Sequence, residues 1–489
     1  MFALIMLSAL IVGDGPAILA VEATVDPLTF GALRALIEST GARLAELGVN
    51  GDDLVCSVVP NGPVSATSTV SIASHCRCAP ISASMTAQEC AHELSDGGAD
   101  FVIIADALGG EHAALVAAES LGIAVIRLTA AADAHAGAFT LHLHRDGAAT
   151  TAVPRGAPRS DDDIALVVRT SGTTGGSKIV PLSHANLVAG ARSVAATLSL
   201  SAADRCLNVL PLHHMHGFAV NVLASLTAGG AVVCAPAVPS PARFVEILRR
   251  FSISFYSAVP TVHIQLLRYL EGEGATAACP LHLPSLRFVR NCSAALLPSI
   301  AARMERALGV PVVATYAMSE CLPICSNPLA SGAPASLVGG SSAPRGVTRK
   351  LDSVGPAALG VEVRIWSRAA SAWVRATSTS RAEGEGEVLV RGACAIAAYF
   401  DASAAHAEAN DASAWLAADD GVDDGVDDGI NDGVGAACRG QRWLRTGDKG
   451  WIDGDGHLHL SGRFKEMINR AGESVPPNTV EGAVLEHPS

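Results

Sequence analysis

In the segment TFGALRALIESTGARLAELGV, apolar residues recur at Leu33, Leu36, Ile37, Leu44 and Leu47 with polar residues between them. That spacing follows a 3.6-residue period and predicts an amphipathic helix. The next run, DLVCSVVPNG, is aliphatic without alternation and ends in a turn signal, which predicts a buried strand. ADFVIIA and IAVIRLT repeat the pattern, with helix-like stretches between them. Strands alternating with helices predict an α/β unit around a parallel sheet.

After the polar stretch HRDGAATTAVPRGAPRSDDD the pattern resumes. Strands are predicted at IALVVRT, RCLNVLPL, GAVVCAP, SFYSAV, LRFVRN and PVVATYA, so a second α/β unit follows the first. Beyond Pro328 the texture changes to small residues, then to VEVRIW, GEVLVRG and GWIDGDGHLHLSGR with hairpin signals, which predict a smaller β-rich unit. The boundaries read as 1–158, 159–328, 329–461 and 462–489. Within the third, DDGVDDGVDDGINDGVG (419–435) cannot bury enough apolar surface to order itself and is expected as a disordered surface insertion. Its acidic spacing matches no EF-hand loop.

The chain has 489 residues and a net charge of −13, but seven of those charges are aspartates of the single repeat. The rest is only mildly acidic, which argues against a nucleic-acid partner. Twelve cysteines lie without a CxxC pair. Neither a zinc site nor a disulfide framework is indicated, and free thiols in a reducing compartment are expected. The apolar start MFALIMLSALIV lacks a basic flank and is too short to span a bilayer, so a packed first helix is expected in place of a signal peptide or membrane span.

The candidate chemistry begins at RTSGTTGGSK, Arg169 to Lys178. Its glycines allow close backbone approach, its hydroxyls and amides can donate to phosphate oxygens, and Lys178 supplies charge. Taken alone, such a run also fits a flexible polar loop. It is not a Walker loop, because the count from Gly172 to Lys178 is wrong and a helix is predicted only later, capped by Ser183. In PLHHMHGF, read as a strand, His214 and His216 would share a face, but no third ligand follows at a plausible spacing, so zinc is not predicted.

Five ordered stretches together resemble the adenylate-forming acyl-CoA synthetases: TSGTTGGSK with VPLSHANL, PLHHMHGF, TYAMSE, LRTGDKGWID, and GRFKEMINRAGESVPPNTVE. VVPNG with APIS, AVPT and LRFVRNCSAAL agree as well, and the last two with SNPL are similar to oxalate–CoA ligases in particular. The resemblance covers nearly the whole chain. It implies two doubly wound α/β subdomains, a distorted-barrel β-rich subdomain, and a C-terminal α+β lid present here as a stub. It also implies the activity: a carboxylic acid is joined to AMP from ATP, and the acyl group then passes to coenzyme A.

By that resemblance Thr170, Ser171, Gly172, Thr173, Thr174, Gly175 and Lys178 would hold the β- and γ-phosphates. Glu320 would bind magnesium, Tyr316 would lie against the adenine and Ser319 would touch the α-phosphate. Asp448 would accept the ribose hydroxyls, with Arg463 adding a donor; His214, Ser293 and Ala294 would line the carboxylate pocket. Lys465 would be the hinge of the lid, and Gly472 with Glu473 would face the coenzyme A channel. Partners are thus the acid, ATP and coenzyme A, with no nucleic acid and no membrane span.

The sequence departs from the family in two places. The oxalate type carries a histidine a few residues after the TYAMSE segment, whereas CLPICSNPL has none and is one residue shorter, so oxalate is only one candidate among small acids. The sequence also stops at Ser489, where family members continue into a lid of on the order of 100 residues bearing a lysine used in the first step. The expectation is a truncated chain that binds ATP and magnesium but makes acyl-CoA slowly. A nucleotide-binding pseudoenzyme and an adenylation module without thioester formation are the alternatives. The cytoplasm is the expected compartment; a peroxisomal tripeptide would lie beyond Ser489.

Overall fold

The computed structural model describes residues 7–22, 25–131, 135–144, 160–170, 178–275, 280–329, 348–374, 384–400, 408–409, 414–417, 442–470, 473–475, 477, 480 and 484. The chain forms two compact units that interleave in sequence. The first comprises Met1–Ala195, Leu200–Tyr256 and Ile396–Asn410; the second comprises Ala196–Ser199, Ser257–Ala395 and Asp411–Ser489.

In the first unit the strands are β1 Pro16–Ala20, β2 Leu28–Thr29, β3 Leu54–Val58, β4 Arg77–Pro80, β5 Phe101–Ala105, β6 Ala124–Ala130, β7 Phe139–Leu143, β8 Ile164–Arg169, β9 Ile179–Ser183, β10 Arg205–Asn208 and β11 Ala231–Cys234. The chain leaves the unit within β12, Phe255–Ala258, and returns for two short strands, Tyr399–Phe400 and Glu408–Ala409. One sheet has nine strands. From one edge they run Glu408–Ala409, Tyr399–Phe400, β9, β8, β4, β3, β5, β6, β7. Its centre, β8-β4-β3-β5-β6, is parallel, and both flanks are antiparallel. The helices of this unit include α1 Phe30–Glu46, α2 Pro63–Ala73, α3 Ala87–Gly97, α4 Ala113–Leu121 and α5 His184–Thr197. Leu54, Cys56 and Val58 of β3, Val102 and Ile104 of β5, Cys90 and Leu94 of α3 and Leu115 of α4 form one buried cluster. Fully burying each large aliphatic side chain contributes about 1.5–3 kcal/mol.

Helix α1 buries Leu33, Ile37 and Leu44 of the predicted stripe together with Phe30, Leu36 is half-buried, and Thr29 caps the helix by accepting from the Ala32 amide at 3.2 Å. Helix α3 opens with a reciprocal capping box between Thr86 and Glu89 and closes at Gly98, whose φ of +68° suits glycine. Half of the expected packed first helix, residues 1–6, lies outside the described residues. Leu7–Leu10 forms a 3-10 turn with Leu7 and Leu10 buried, and Gly13, Gly15 and Pro16 keep it from continuing as a helix. The chain then enters β1, which pairs in parallel with β11, Ile18 beside Val232.

In the second unit β13 Phe288–Asn291 pairs in parallel with β14 Val312–Met318, and β14 pairs antiparallel with β15 Cys321–Ser326. A separate antiparallel sheet holds β16 Val361–Ser367, β17 Ala372–Trp373, β18 Gly386–Gly392 and the strands Trp415–Leu416, Trp443–Ile452 and Leu458–Arg463. This sheet carries Asp448 and Arg463. The mixed α/β architecture agrees with the predicted fold class. Among the described residues no helix is long and apolar enough to cross a membrane. The repeat at 419–435 lies outside the described residues.

Candidate functional site

In the first unit the glycine-rich loop joins two antiparallel strands. β8 and β9 pair with Arg169 opposite Ile179, and the Thr170 amide donates to the Lys178 carbonyl at 3.0 Å while the Lys178 amide donates to Thr170 Oγ1 at 3.2 Å. Thr170 and Lys178 therefore close the neck of a hairpin; Ser171, Gly172, Thr173, Thr174 and Gly175 lie outside the described residues. The predicted helix begins after β9, and Ser183 Oγ accepts from the Asn186 amide at 3.2 Å, the capping role read from sequence.

The base of the loop is gripped from α3. Arg169 pairs with Glu93 at 2.6 Å and with Asp96 at 2.7 Å, and its side chain is largely buried. Burial lifts the Glu93 carboxyl above its ordinary value although Arg169 pulls the other way. Sequence reading missed this grip because Glu93 and Asp96 look like solvated helix carboxylates. Their i, i+3 spacing toward one face was the available signal.

The histidine segment is not a strand. Pro211 ends the extended run after β10, the chain turns through Leu212 and His213, and a π-helix occupies His216–Leu223. A Cβ at Gly217 would sit 2.4 Å from the Pro211 carbonyl oxygen, so only glycine fits there. Asn61 braces the turn: its Oδ1 accepts from the Leu212 amide at 3.2 Å and its Nδ2 donates to the Ala235 carbonyl at 3.1 Å. His213, not His214, lines a small polar pocket with Ser57, Asn61, Ser65 and Thr69. The two rings are 4.3 Å apart.

Burial, with His214 alongside, holds His213 down to about 4; burial also lowers His214. In the second unit buried His263 is likewise held to about 4 by burial. An unfolded histidine titrates near 6.5, so between about 4 and 6.5 the unfolded chain binds more protons than the folded one. Stability from these groups is fully present above 6.5 and is lost as pH falls through that window. The melting temperature is expected to drop by a few degrees between pH 7 and pH 5, and less steeply in His213→Gln. Equal slopes for the two proteins would contradict this reading.

In the second unit Ser319 and Glu320 form the two-residue turn between β14 and β15, with Met318 paired to Cys321. Glu320 is buried, only 5% exposed, and so is not the solvated loop carboxylate that an isolated Glu suggests. Tyr316 on β14 donates its hydroxyl to Asp448 Oδ2, and Arg463 Nε donates to Asp448 Oδ1 at 3.1 Å. Arg463 faces Asp448 directly across the ladder between Trp443–Ile452 and Leu458–Arg463. Burial pushes the Asp448 carboxyl up, opposed by Tyr316 and Arg463. Burial, reinforced by Asp448, keeps the Tyr316 phenol well above its ordinary range, so it acts as a donor. Each Asp448 oxygen keeps a further lone pair for another donor.

Ser293 and Ala294 are exposed in the turn after β13. Ser293 has φ +71°, a strained conformation for a residue with a side chain, and Asn291 Nδ2 supports the turn through the Ala294 carbonyl at 3.0 Å. Lys465 is exposed in the turn after Leu458–Arg463, just before the hairpin of Ile468–Arg470 with Glu473–Val475. Glu473 stands opposite Arg470 in the backbone register of that hairpin; Gly472 lies outside the described residues.

The model of the AMP-binding enzyme family matches residues 13–400. An oxalate–CoA ligase of Arabidopsis thaliana is 32% identical over 94% of this chain and 79% of its own length. A probable CoA ligase of Humulus lupulus, CCL9, is 31% identical over 94% of this chain and 77% of its own. The crystal structure of ATP-bound MatB from Rhodopseudomonas palustris superimposes with a TM-score of 0.75 at 22% identity, covering 99% of this chain and 84% of that one, which speaks to the fold. The chain belongs to the AMP-binding enzyme family, as an acid–thiol ligase that activates a carboxylic acid with ATP and transfers it to coenzyme A.

Proposed function

We propose that Tyr316, Asp448 and Arg463 hold the adenosine of ATP, that Thr170, Lys178 and the loop between them hold its β- and γ-phosphates, and that the acid is a small carboxylate. The observation that carries this reading is the buried carboxylate of Asp448, held from two sides by Tyr316 and Arg463 with lone pairs left over. Such a group is suited to accept from a pair of hydroxyls, as a ribose offers. In the first half-reaction a carboxylate oxygen of the acid attacks the α-phosphorus and pyrophosphate leaves. The Thr170 hydroxyl would donate to the departing pyrophosphate and the Lys178 ammonium would neutralise its charge, while Ser319 would touch the α-phosphate that stays with AMP. In the second, the thiol sulfur of coenzyme A attacks the acyl carbonyl and AMP leaves with the acid's oxygen.

Glu320 is the residue that would hold magnesium. A single buried carboxylate suits a hard cation that draws its other ligands from phosphate oxygens and water. When bound, the ion supplies charge neutralisation at the phosphates. His213 and His214, kept neutral by burial, suit a small acid as hydrogen-bond partners; oxalate is one candidate, although no histidine follows Glu320 within CLPICSNPL. Ten buried free thiols among the described residues suit a reducing compartment such as the cytoplasm.

The test is Glu320→Gln. Its affinity for ATP with magnesium is expected to fall on the order of tenfold to a hundredfold, the size of a charge-assisted contact, while its affinity for ATP in excess chelator stays unchanged. Equal losses in both conditions would show that Glu320 acts on the nucleotide or the fold, not on a metal ion.

A further inference from the structure

Lys178 and Tyr399 are 221 positions apart in the chain but adjoin in the first unit. Tyr399–Phe400 pairs antiparallel with β9, Phe400 opposite Ile179. That register sets Tyr399 opposite Val180, on the face of the sheet that Lys178 shares, so Lys178 and Tyr399 are diagonal neighbours across two strands, within reach of long side chains. The Lys178 ammonium lies 4.3 Å from the centre of the Tyr399 ring. The ring is buried, with Tyr399 6% exposed, so it is a fixed surface, while Lys178 is exposed.

We propose that Tyr399 is a positioning residue for the reaction: its ring face seats the Lys178 ammonium at the mouth of the phosphate loop and keeps that seat when the triphosphate binds. This rests on the reading of Lys178 as a phosphate ligand. A ring face accepts no N–H donor in the way an oxygen does, so the ring contact itself takes none of the ammonium's donors away from phosphate oxygens. The negative ring face attracts the charge without hydrogen-bonding to it, and so orients the lysine without taking up the donors the phosphates need. It also relieves the cost of ordering a long, exposed side chain at the moment of binding, since the ordering is done beforehand. The hairpin neck at Thr170 and Lys178 fixes the lysine backbone and the ring fixes its head.

The experiment varies the charge distribution of the ring and leaves its size alone. Tyr399→Phe keeps a negative ring face; pentafluorophenylalanine at position 399 reverses it at nearly the same shape. Affinity for ATP with magnesium is expected to be retained in Tyr399→Phe and to fall about threefold to twentyfold in the fluorinated protein, with melting temperatures matching. In the Lys178→Gln background the same fluorination is expected to change nothing further. If Lys178→Gln alone leaves ATP affinity intact, the phosphate reading fails. If Lys178→Gln weakens ATP and fluorination leaves affinity unchanged or tightens it, only the role of Tyr399 is overturned. An equal loss on fluorination with and without Lys178 would assign the ring a merely structural part and overturn it as well.

Discussion

Replacing Lys178 by glutamine is expected to weaken binding of ATP with magnesium about tenfold to a hundredfold and to leave the melting temperature within a degree or so. The affinity loss follows from charge. A charge-assisted contact to phosphate is roughly twice as strong as a neutral one, and glutamine keeps a polar N–H donor on a stem one bond shorter while removing the charge. The fold survives because Lys178 is exposed, and because the bonds that close the hairpin use its backbone and Thr170, which the substitution does not touch. Titration calorimetry on both proteins decides the matter. Unchanged affinity in a well-folded Lys178→Gln protein would remove the loop from the nucleotide site.

Asp448→Asn should be the more damaging change. Aspartate at this site accepts on both oxygens, from Tyr316 on one and from Arg463 on the other. Asparagine has the same shape but presents a donor on one side, so either the phenol or the guanidinium meets an N–H in a buried position. A buried donor left without an acceptor costs about 1–3 kcal/mol, and the ribose would lose an acceptor as well. The expected outcome is a fall in both melting temperature and ATP affinity, the latter by tenfold or more. Arg463→Gln, at a side chain 58% exposed, should show a much smaller loss of stability. Full ATP affinity in Asp448→Asn, at a normal melting temperature, would refute the assignment of the nucleoside to this carboxylate.

Much of the molecule was legible in the sequence where one local pattern decides the outcome. The 3.6 period of α1 places Leu33, Ile37 and Leu44 in the core, and the short aliphatic runs become β3, β5, β6 and β8. The cap at Ser183 was visible for the same reason. IVPLS is not among the strands predicted from the sequence, because a proline weakens the strand signal, yet it forms β9 with Pro181 beside Val167. PAILA, opening with Pro16, forms β1. PLHHMHGF can be read as a strand, on which His214 and His216 share a face, whereas the close approach of Gly217 to Pro211 becomes evident only in three dimensions.

The candidate site follows the same division. Residue types at fixed spacing, such as TSGTTGGSK or Ser319 with Glu320, are local and could be read. The bond from Tyr316 to Asp448 spans 132 positions, and the seat of Lys178 on Tyr399 depends on a register between two strands, one only two residues long. No periodicity within one segment encodes either. The grip of Glu93 and Asp96 on Arg169 belongs to the same class, since it depends on a helix and a strand packing together.

The central claim is that the carboxylic acid is activated as an acyl adenylate and not as an acyl phosphate. A single-turnover reaction with a small acid labelled with oxygen-18 in its carboxylate tests this most directly. When the thiol of coenzyme A displaces AMP, one oxygen of the acid leaves on the phosphate of AMP, so the prediction is one labelled oxygen in each AMP formed and none in pyrophosphate. Label in inorganic phosphate, with ADP as the nucleotide product, would contradict the account.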